Sequence, residues 1–552
     1  MRRRVSLGRS CIICDSPELL YEFATASGAF FECRECGLLM CDPTESHARG
    51  ANGRLWIHNM RDTALSNEEK VHYLEELLRH APGGRLLQIN CGDGTFLKTA
   101  HTRGYMVAGY EETPELAAQA RALLGEDVVC SNGPITEAFE PESFDVVVLF
   151  DMLGRFADPI ETLRMLRRML VPNGVLLLST PVLDSPPARL FRQSWAEFYK
   201  DVLFFFTTQN IQNALFKAGF DRTLVVRHRR LTDVDWLSAY LTQFRVPRWL
   251  AFLTLLLRSL PAAARRRKFY ATGGHAVVIS RASEISLSRP RLSVIVPVFN
   301  ERATFRMLMD KLLAKQIRGL DKEIIIVESN SRDGTREEVL SYCDHPDVRI
   351  VLQDRPRGKG NAVRAGLAAA TGHFVIIQDA DLEYDLNDYD ALLEPLVKCR
   401  HAFVIGSRHT GSDWKMREFN DAPIAATFFN LGHVVFRTLL NVMYAQRLKD
   451  PFSMFKVFRR ECLYGLTLEC NRFDFDFELV IKLIRKGYQP IEIPVNYRAR
   501  SFSEGKKVSA WRDPITWIRA LVKYRIEPLT ITIQPHTATA EKSVTIRKVG
   551  QI

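Results

Sequence analysis

The chain reads as α/β: two separate parallel-sheet α/β domains, with a small zinc-ribbon-like segment at the N-terminus. Three observations predict this. Cys11-Ile-Ile-Cys14 and Cys33-Arg-Glu-Cys36 form two CxxC pairs separated by 18 residues. From about Arg85, and again from Leu292, apolar runs of strand length alternate with helical stretches, the pattern of strands joined by crossover helices. The 552 residues, 46% hydrophobic and 25% charged, suffice for several ordinary globular cores.

The N-terminal segment, residues 1–45, takes its reading from the four cysteines. Each CxxC pair aims two thiolates at one point, and four thiolates close a tetrahedral zinc site. Cys41 lies outside the pattern. The start, MRRRVSLGRSCIIC, is basic with no apolar run behind it, so it is not a signal peptide. The eleven cysteines therefore read as reduced thiols or metal ligands, not a disulfide framework. A net charge of +11 favours anionic partners: phosphorylated substrates, anionic lipid or nucleic acid.

Residues 46–280 form the first α/β domain. GGRLLQINCGDGTFL is an apolar strand, a glycine turn and a helix start; YMVAGYEE is a second strand ending in Glu111. SFDVVVLFDML and GVLLLSTP are further buried strands. A glycine turn lets backbone approach a ligand, and an acid at the next strand's end can bind ribose hydroxyls. These residues, with Cys91-Gly92-Asp93-Gly94 and FDVVVLFDMLGRFADP, resemble class I S-adenosylmethionine-dependent methyltransferases, including members with an N-terminal zinc-binding segment. The resemblance spans roughly residues 10 to 230. It implies a Rossmann-like fold with Gly92, Gly94 and Glu111 holding S-adenosylmethionine. The chain departs from the family at Gln88, where an acid is usual, at Asn90, where glycine is usual, and at Gly154-Arg155, where many relatives carry Glu-His.

VPRWLAFLTLLLRSLPAAARRRKF follows. Its apolar run from Trp249 to Leu257 is too short for the roughly 20 residues of a spanning helix. With Arg265 to Lys268 behind it, the segment fits either a membrane-interface element or a helix covering the first domain. Residues 281–290 read as a linker.

The second α/β domain occupies residues 291–527. RLSVIVPVFNE is a strand expected to break at Pro297; KEIIIVESNSRDGT, VRIVLQDRPRGKGNA, FVIIQDADLEYD and AFVIGSR supply four more. Asp379 and Asp381 leave the fourth strand at its carboxyl end, where ligands bind in such sheets. One residue between them lets both carboxylates reach a magnesium or manganese ion, which takes a few carboxylates and fills its other positions with phosphate oxygen and water. The alternative is a solvated loop or a helix cap.

Several further motifs occur in order: Pro297-Val298-Phe299-Asn300-Glu301, Ser331 to Thr335, Gly406-Ser407-Arg408, Asp450 to Lys456, and FDFDFELVIKLIRKGYQPIEIPVNYRARSFSEGKK. Over about residues 291 to 526 the chain resembles family 2 glycosyltransferases of the GT-A fold, particularly dolichol-phosphate and other polyprenyl-phosphate sugar transferases. It departs at Glu328-Ser329, where relatives often carry paired aspartates. The resemblance implies inverting transfer from a nucleotide sugar. Pro297, Phe299, Glu301, Glu328, Asp333, Lys359 and Arg408 would bind the donor. Asp379 and Asp381 would hold the metal, with Glu383 as third ligand. Lys456, Arg500 and Lys506 would meet donor or acceptor phosphate. A sugar-hydroxyl acceptor needs a base, for which Asp476 and Glu478 are candidates; a polyprenyl phosphate is already ionised and needs none. Asp474 is expected to cap the helix that starts there.

Residues 423 to 444 read as an amphipathic helix, interfacial if the acceptor is a lipid, and residues 528–552 as a tail. The expectation is a cytoplasmic enzyme, peripheral at the inner surface of an anionic membrane. Two other readings stay open: a glycosyltransferase whose methyltransferase-like half only binds, and a zinc protein that binds nucleic acid. The last would need a basic, aromatic-studded face, and only scattered basic clusters occur.

Overall fold

The computed structural model describes residues 10–25, 28–43, 67–131, 133–199, 202–235, 238, 252, 256–282, 290–409, 423–498 and 512–529. They fall into two compact units divided between Ile285 and Ser286.

The first unit opens with three antiparallel strands, β1 (Leu19–Thr25), β2 (Gly28–Cys33) and β3 (Leu39–Pro43). Its main sheet contains β4 (Gly84–Ile89), β5 (Tyr105–Tyr110), β6 (Val129–Cys130), β7 (Phe144–Phe150) and β8 (Leu170–Pro181). These five pair in parallel. Strand β9 (Phe204–Phe205) pairs with β3, so the N-terminal sheet takes its fourth strand from about 160 residues downstream. Antiparallel β10 (Phe220–Thr232) and β11 (Phe269–Ala282) extend the main sheet beside β8. The order is β10-β11-β8-β7-β4-β5-β6, so the expected parallel sheet is mixed. Strand β7, FDVVVLF, is buried through its first six residues, as a strand covered on both faces must be. The helix Pro159–Met169 starts cleanly because Pro159 takes its first position and the Asp158 carboxylate accepts from Glu161 N–H at 2.9 Å.

The second unit holds β12 (Arg291–Val298), β13 (Asp321–Glu328), β14 (Val348–Leu352), β15 (Phe374–Ile377), β16 (Phe403–Ser407), β17 (Lys456–Arg459) and β18 (Ile491–Pro494). Their order is β14-β13-β12-β15-β17-β16-β18. Strand β17 runs antiparallel between β15 and β16, so this sheet too is mixed, and AFVIGSR is not the neighbour of the DxD strand. Strand β12 does not break at Pro297: it continues to Val298, with Pro297 opposite Val327. Ile295 O accepts from Gln378 N, on the β15 side. Pro297 has the same parity and faces that side after the pairing with β15 has ended at Ile295, so its missing N–H costs no ladder bond. The core beneath β15 to β17 packs Val375, Ile377, Phe403, Ile405 and Phe458 against Leu479, Leu483 and Tyr524.

Candidate functional site

In the second unit the carboxyl ends of β12, β13 and β15 lead into Asn300, Asn330 and Leu382, each in the left-handed backbone region. Such turns redirect the chain sharply where the strands stop. Asp379 and Asp381 occupy the turn after β15, and the Asp381 carboxylate accepts from Glu383 N–H at 3.2 Å. Lys359 reaches the same place from the start of the helix Lys359–Ala369, with Nζ 2.5 Å from Asp379 Oδ1. The flanking glycines make this possible. A Cβ on Gly358 would sit 2.4 Å from the Asn471 carbonyl oxygen, and one on Gly360 2.6 Å from Phe475 Cβ, so only glycine lets the lysine turn pack against residues 470–475.

That packing brings Asp476 into the cluster. It lies on the helix Phe475–Arg485 and pairs at 2.7 Å with Lys456, the first residue of β17. Both are buried. Burial raises the Asp476 carboxyl above the usual range while Lys456 and Lys359 pull it down. Burial likewise lowers Lys456, against the pull of Asp476. For Lys359, burial opposes the charge, yet Asp379, Asp476 and Asp381 outweigh it and hold the ammonium above the ordinary lysine value. Asp379, Asp381, Asp476, Lys359 and Lys456 thus form one electrostatic unit of alternating sign.

Other expected residues are committed elsewhere. Glu478, two residues beyond Asp476, points to the opposite side of its helix. It is fully buried, accepts from Glu469 and Cys470 N–H at 2.8 to 3.1 Å and pairs with Lys482 at 2.6 Å. It is a loop clamp beside the core, not a base facing the cluster. Asp474 stands at the helix start but accepts from Arg472 N–H behind it at 3.0 Å and makes no side-chain cap. The Glu383 carboxylate accepts from Tyr497 OH at 3.0 Å. Glu328, buried at the end of β13, accepts from Asn330 N, Ser331 N and Arg336, which shapes the 329–336 turn. Asp333 accepts from Arg302 N and from Thr335 N and Oγ1, starting the helix Thr335–Leu340. Pro297, Phe299 and Glu301 flank this turn at the end of β12, with Glu301 N donating to Thr335 Oγ1 at 3.0 Å.

Arg408, after β16, makes two 2.7 Å contacts with the fully buried Asp450. Burial works against Asp450, but Arg408 holds its carboxyl well below the usual range. The guanidinium also lies over Tyr497, whose ring packs on Tyr384. The sequence does not point to Asp450 as its partner; the only local signal is the Asp-Pro turn that opens KDPFS. Arg500 and Lys506 lie outside the described residues, as do most of the linker and the tail.

In the first unit Gly92 and Gly94 follow β4, and a Cβ on Gly92 would meet nothing within 4 Å, whereas one on Gly94 would press Ala120 and Leu124 at 3.1 Å. The first glycine leaves open space beside the turn and the second admits a close helix, the two roles such a turn needs. Glu111 is almost fully buried; its two oxygens accept from Gly92 N at 2.8 Å and Thr113 N at 3.0 Å. It fixes the turn, and carboxylate oxygens can each accept a second bond. Asn90 adopts the left-handed conformation, φ 53°. Gly154 has a packing reason: a Cβ there would lie 2.3 Å from the Phe204 carbonyl oxygen, and its own carbonyl accepts from Leu203 N.

Cys11, Cys14, Cys33 and Cys36 gather with all four sulfurs within 4.8 Å of one another. They are the only group of three or more metal-type ligands gathered this way among the described residues. A metal 2.3 Å from each sulfur sets tetrahedral S···S distances of roughly 3.8 Å, and the pairs Cys11–Cys36 and Cys14–Cys33 stand at 3.5 Å. The helix Thr208–Lys217 steadies the knuckles: Asn210 donates to the Cys36 carbonyl and Lys217 to those of Ile12 and Ile13.

Residues 293–466 match the model of glycosyl transferase family 2, and residues 57–225 match that of a methyltransferase domain. The chain is 26% identical over 264 residues to a dolichyl-phosphate beta-glucosyltransferase of Trichomonas vaginalis, covering 45% of this chain and 76% of that one. It is 27% identical over 217 residues to a dolichol-phosphate mannosyltransferase of Pyrococcus furiosus, covering 39% and 59%. Among solved structures, glucosyl-3-phosphoglycerate synthase from Mycobacterium tuberculosis bound to uridine diphosphate is similar at 21% identity and TM-score 0.33, covering 43% of this chain and 81% of its own.

Proposed function

We propose that the family 2 glycosyltransferase domain of this chain transfers a sugar, with inversion, from a nucleotide diphosphate sugar to a polyprenyl phosphate. The observation that carries the reading is the cluster of Asp379, Asp381, Lys359, Lys456 and Asp476 at the carboxyl end of β15. Two carboxylates one residue apart suit magnesium or manganese, which usually keeps one or two protein carboxylates beside substrate phosphate. Asp379 and Asp381 would hold the ion, and it would neutralise charge on the departing diphosphate. Lys359 sits on Asp379, beside the carboxylates that would hold the ion. An ionised acceptor phosphate needs orientation and cations more than a base; Lys359, 20% exposed, is the cation at hand, whereas Lys456 is fully buried against Asp476 and supports the cluster from beneath. With a surface-glycan hydroxyl as acceptor, Asp476 is the base, its carboxyl raised by burial. The test is a screen of nucleotide sugars with and without polyprenyl phosphate, reading metal-dependent transfer.

Two helices, Pro423–Tyr444 and Arg512–Ile526, support the reading of peripheral attachment to anionic membrane. Leu431, Val435, Leu439 and Val442 recur at helical spacing on the first, with Val442 77% exposed; Ile515, Ile518, Val522 and Ile526 do so on the second, with Ile526 77% exposed. Arg519 and Arg525 accompany the second stripe. Apolar stripes with basic neighbours suit a lipid interface, and no described helix is long and apolar enough to cross a membrane. In the N-terminal half the four cysteines hold zinc, and the Asn90–Gly94 turn with Glu111 takes S-adenosylmethionine, supplying a methyl group for the same glycan or its lipid-linked precursor.

A further inference from the structure

At the carboxyl end of the first main sheet, three neighbouring strands bring polar residues together. Asp151 follows β7 in the left-handed region, φ 54°. Its N–H donates to the Ser179 carbonyl at 2.9 Å, and Ser179 Oγ donates to Asp151 Oδ1 at 2.7 Å. Ser179 lies on β8. His275, on β11 opposite Pro181 of β8, places Nε2 3.7 Å from Asp151 Oδ2. Both side chains are mostly buried, at 10% and 19% exposure. One strand over, Leu149 of β7 pairs with Ile89 of β4, immediately before the Asn90–Gly94 turn, so Asp151 and that turn leave neighbouring strand ends. Asn90 and Asp151 are both non-glycine residues with positive φ on adjacent strand ends. Strain of that kind persists where surrounding structure enforces it, and it clusters at functional sites.

Asp151 and His275 stand too far apart for a direct hydrogen bond, yet one oxygen can bridge them. Asp151 Oδ1 is occupied by Ser179, which leaves Oδ2 as the oxygen turned toward His275. We propose that this pair is the methyl-acceptor site of the N-terminal half, and that the acceptor is a hydroxyl. The inference rests on the cofactor reading of the Asn90–Gly94 turn and Glu111. The acceptor hydroxyl donates to Asp151 Oδ2 and accepts from His275 Nε2–H. As its oxygen attacks the methyl carbon, the O–H bond breaks and the proton passes to Asp151. The O–CH3 bond forms, and the carbon–sulfur bond of the sulfonium breaks with its electron pair going to sulfur. Ser179 is a positioning residue: it holds the other carboxylate oxygen.

The test combines calorimetry, crystallography and transfer on the full chain. Wild type should bind S-adenosylhomocysteine, and Asp151→Asn should bind it within twofold. A crystal structure of that complex should show an ordered oxygen within hydrogen-bond reach of both Asp151 Oδ2 and His275 Nε2 and within about 5 Å of the sulfur, as a near-attack geometry requires. Alkyl glucosides serve as hydroxyl probes for labelled methyl transfer, and Asp151→Asn should lower transfer by about 100-fold or more. A direct Asp151–His275 contact with no bridging oxygen, a sulfur remote from the pair, or undiminished transfer by the variant overturns the proposal. So does a tenfold loss of affinity in Asp151→Asn, which would put that residue in the cofactor cradle. Transfer confined to thiol or amine probes, or none to any hydroxyl by the loaded wild type, overturns it too. No heat from the wild type removes the cofactor reading and this proposal together, and leaves the glycosyl-transfer reading standing.

Discussion

Replacing Glu478 by glutamine separates a structural carboxylate from a catalytic one. Glu478 is fully buried and receives two backbone N–H groups and the Lys482 ammonium. Glutamine keeps the shape but turns one acceptor oxygen into a donor, so at least one of those groups loses its partner. Breaking a buried pair by removing one charge costs about 3–5 kcal/mol. Lys482 is 12% exposed and partly recovers water, which favours the lower end, about 3 kcal/mol. A domain of this size loses about 2–4 °C of Tm per kcal/mol, so the second unit's transition should fall by roughly 6–12 °C. Differential scanning calorimetry of the full chain measures it. Transfer per folded molecule, assayed well below the new Tm, should stay within twofold. An unchanged transition with transfer abolished would make Glu478 the base and refute its assignment to the Glu469–Cys470 loop.

Metal analysis should give about one zinc per chain, and Cys33→Ser should release it; full retention contradicts the four-thiolate site. Burial holds Lys486 down to about 8 from an ordinary 10.5. Between those values the folded chain has lost a proton that the unfolded chain keeps, so stability should rise with pH across that window. Urea unfolding should show this rise flattened in Lys486→Met, and an identical slope in the variant contradicts the assignment. Binding to anionic vesicles should fall sharply with salt, because each basic residue near the surface adds about 1 kcal/mol that salt screens; equal binding to neutral vesicles contradicts the electrostatic part of the docking.

The strand-end placement of Asp379 and Asp381 was legible because a buried apolar run ending in alternating acids is a local pattern. So was the cysteine geometry, since CxxC spacing dictates which sulfurs converge. What escaped was long-range pairing. Nothing near Arg408 announces that Asp450, 42 residues on, takes its guanidinium. Nothing in residues 1–45 shows that their sheet is completed by Phe204 and Phe205, nor why position 154 needs glycine until that strand's carbonyl is seen against it. Asp476 and Glu478 look equivalent in sequence, and only the helix rotation between them sends one to the cluster and the other to a loop. Strand β17 reads as a motif because four residues after a proline give too little alternation to mark a strand.

In the proposed function, Asp379 and Asp381 carry the metal of glycosyl transfer. Asp381→Asn removes a formal charge while keeping shape. Losing comparable electrostatic stabilisation elsewhere costs on the order of 100-fold in rate. The decisive measurement is manganese-dependent transfer from a nucleotide sugar to polyprenyl phosphate by Asp381→Asn, alongside its thermal unfolding. The account predicts a nearly unchanged unfolding transition, collapse of transfer and partial rescue by excess manganese. Ordinary metal-dependent transfer by the variant, with a modest stability loss of about 1 kcal/mol as for a lost cap, would contradict it.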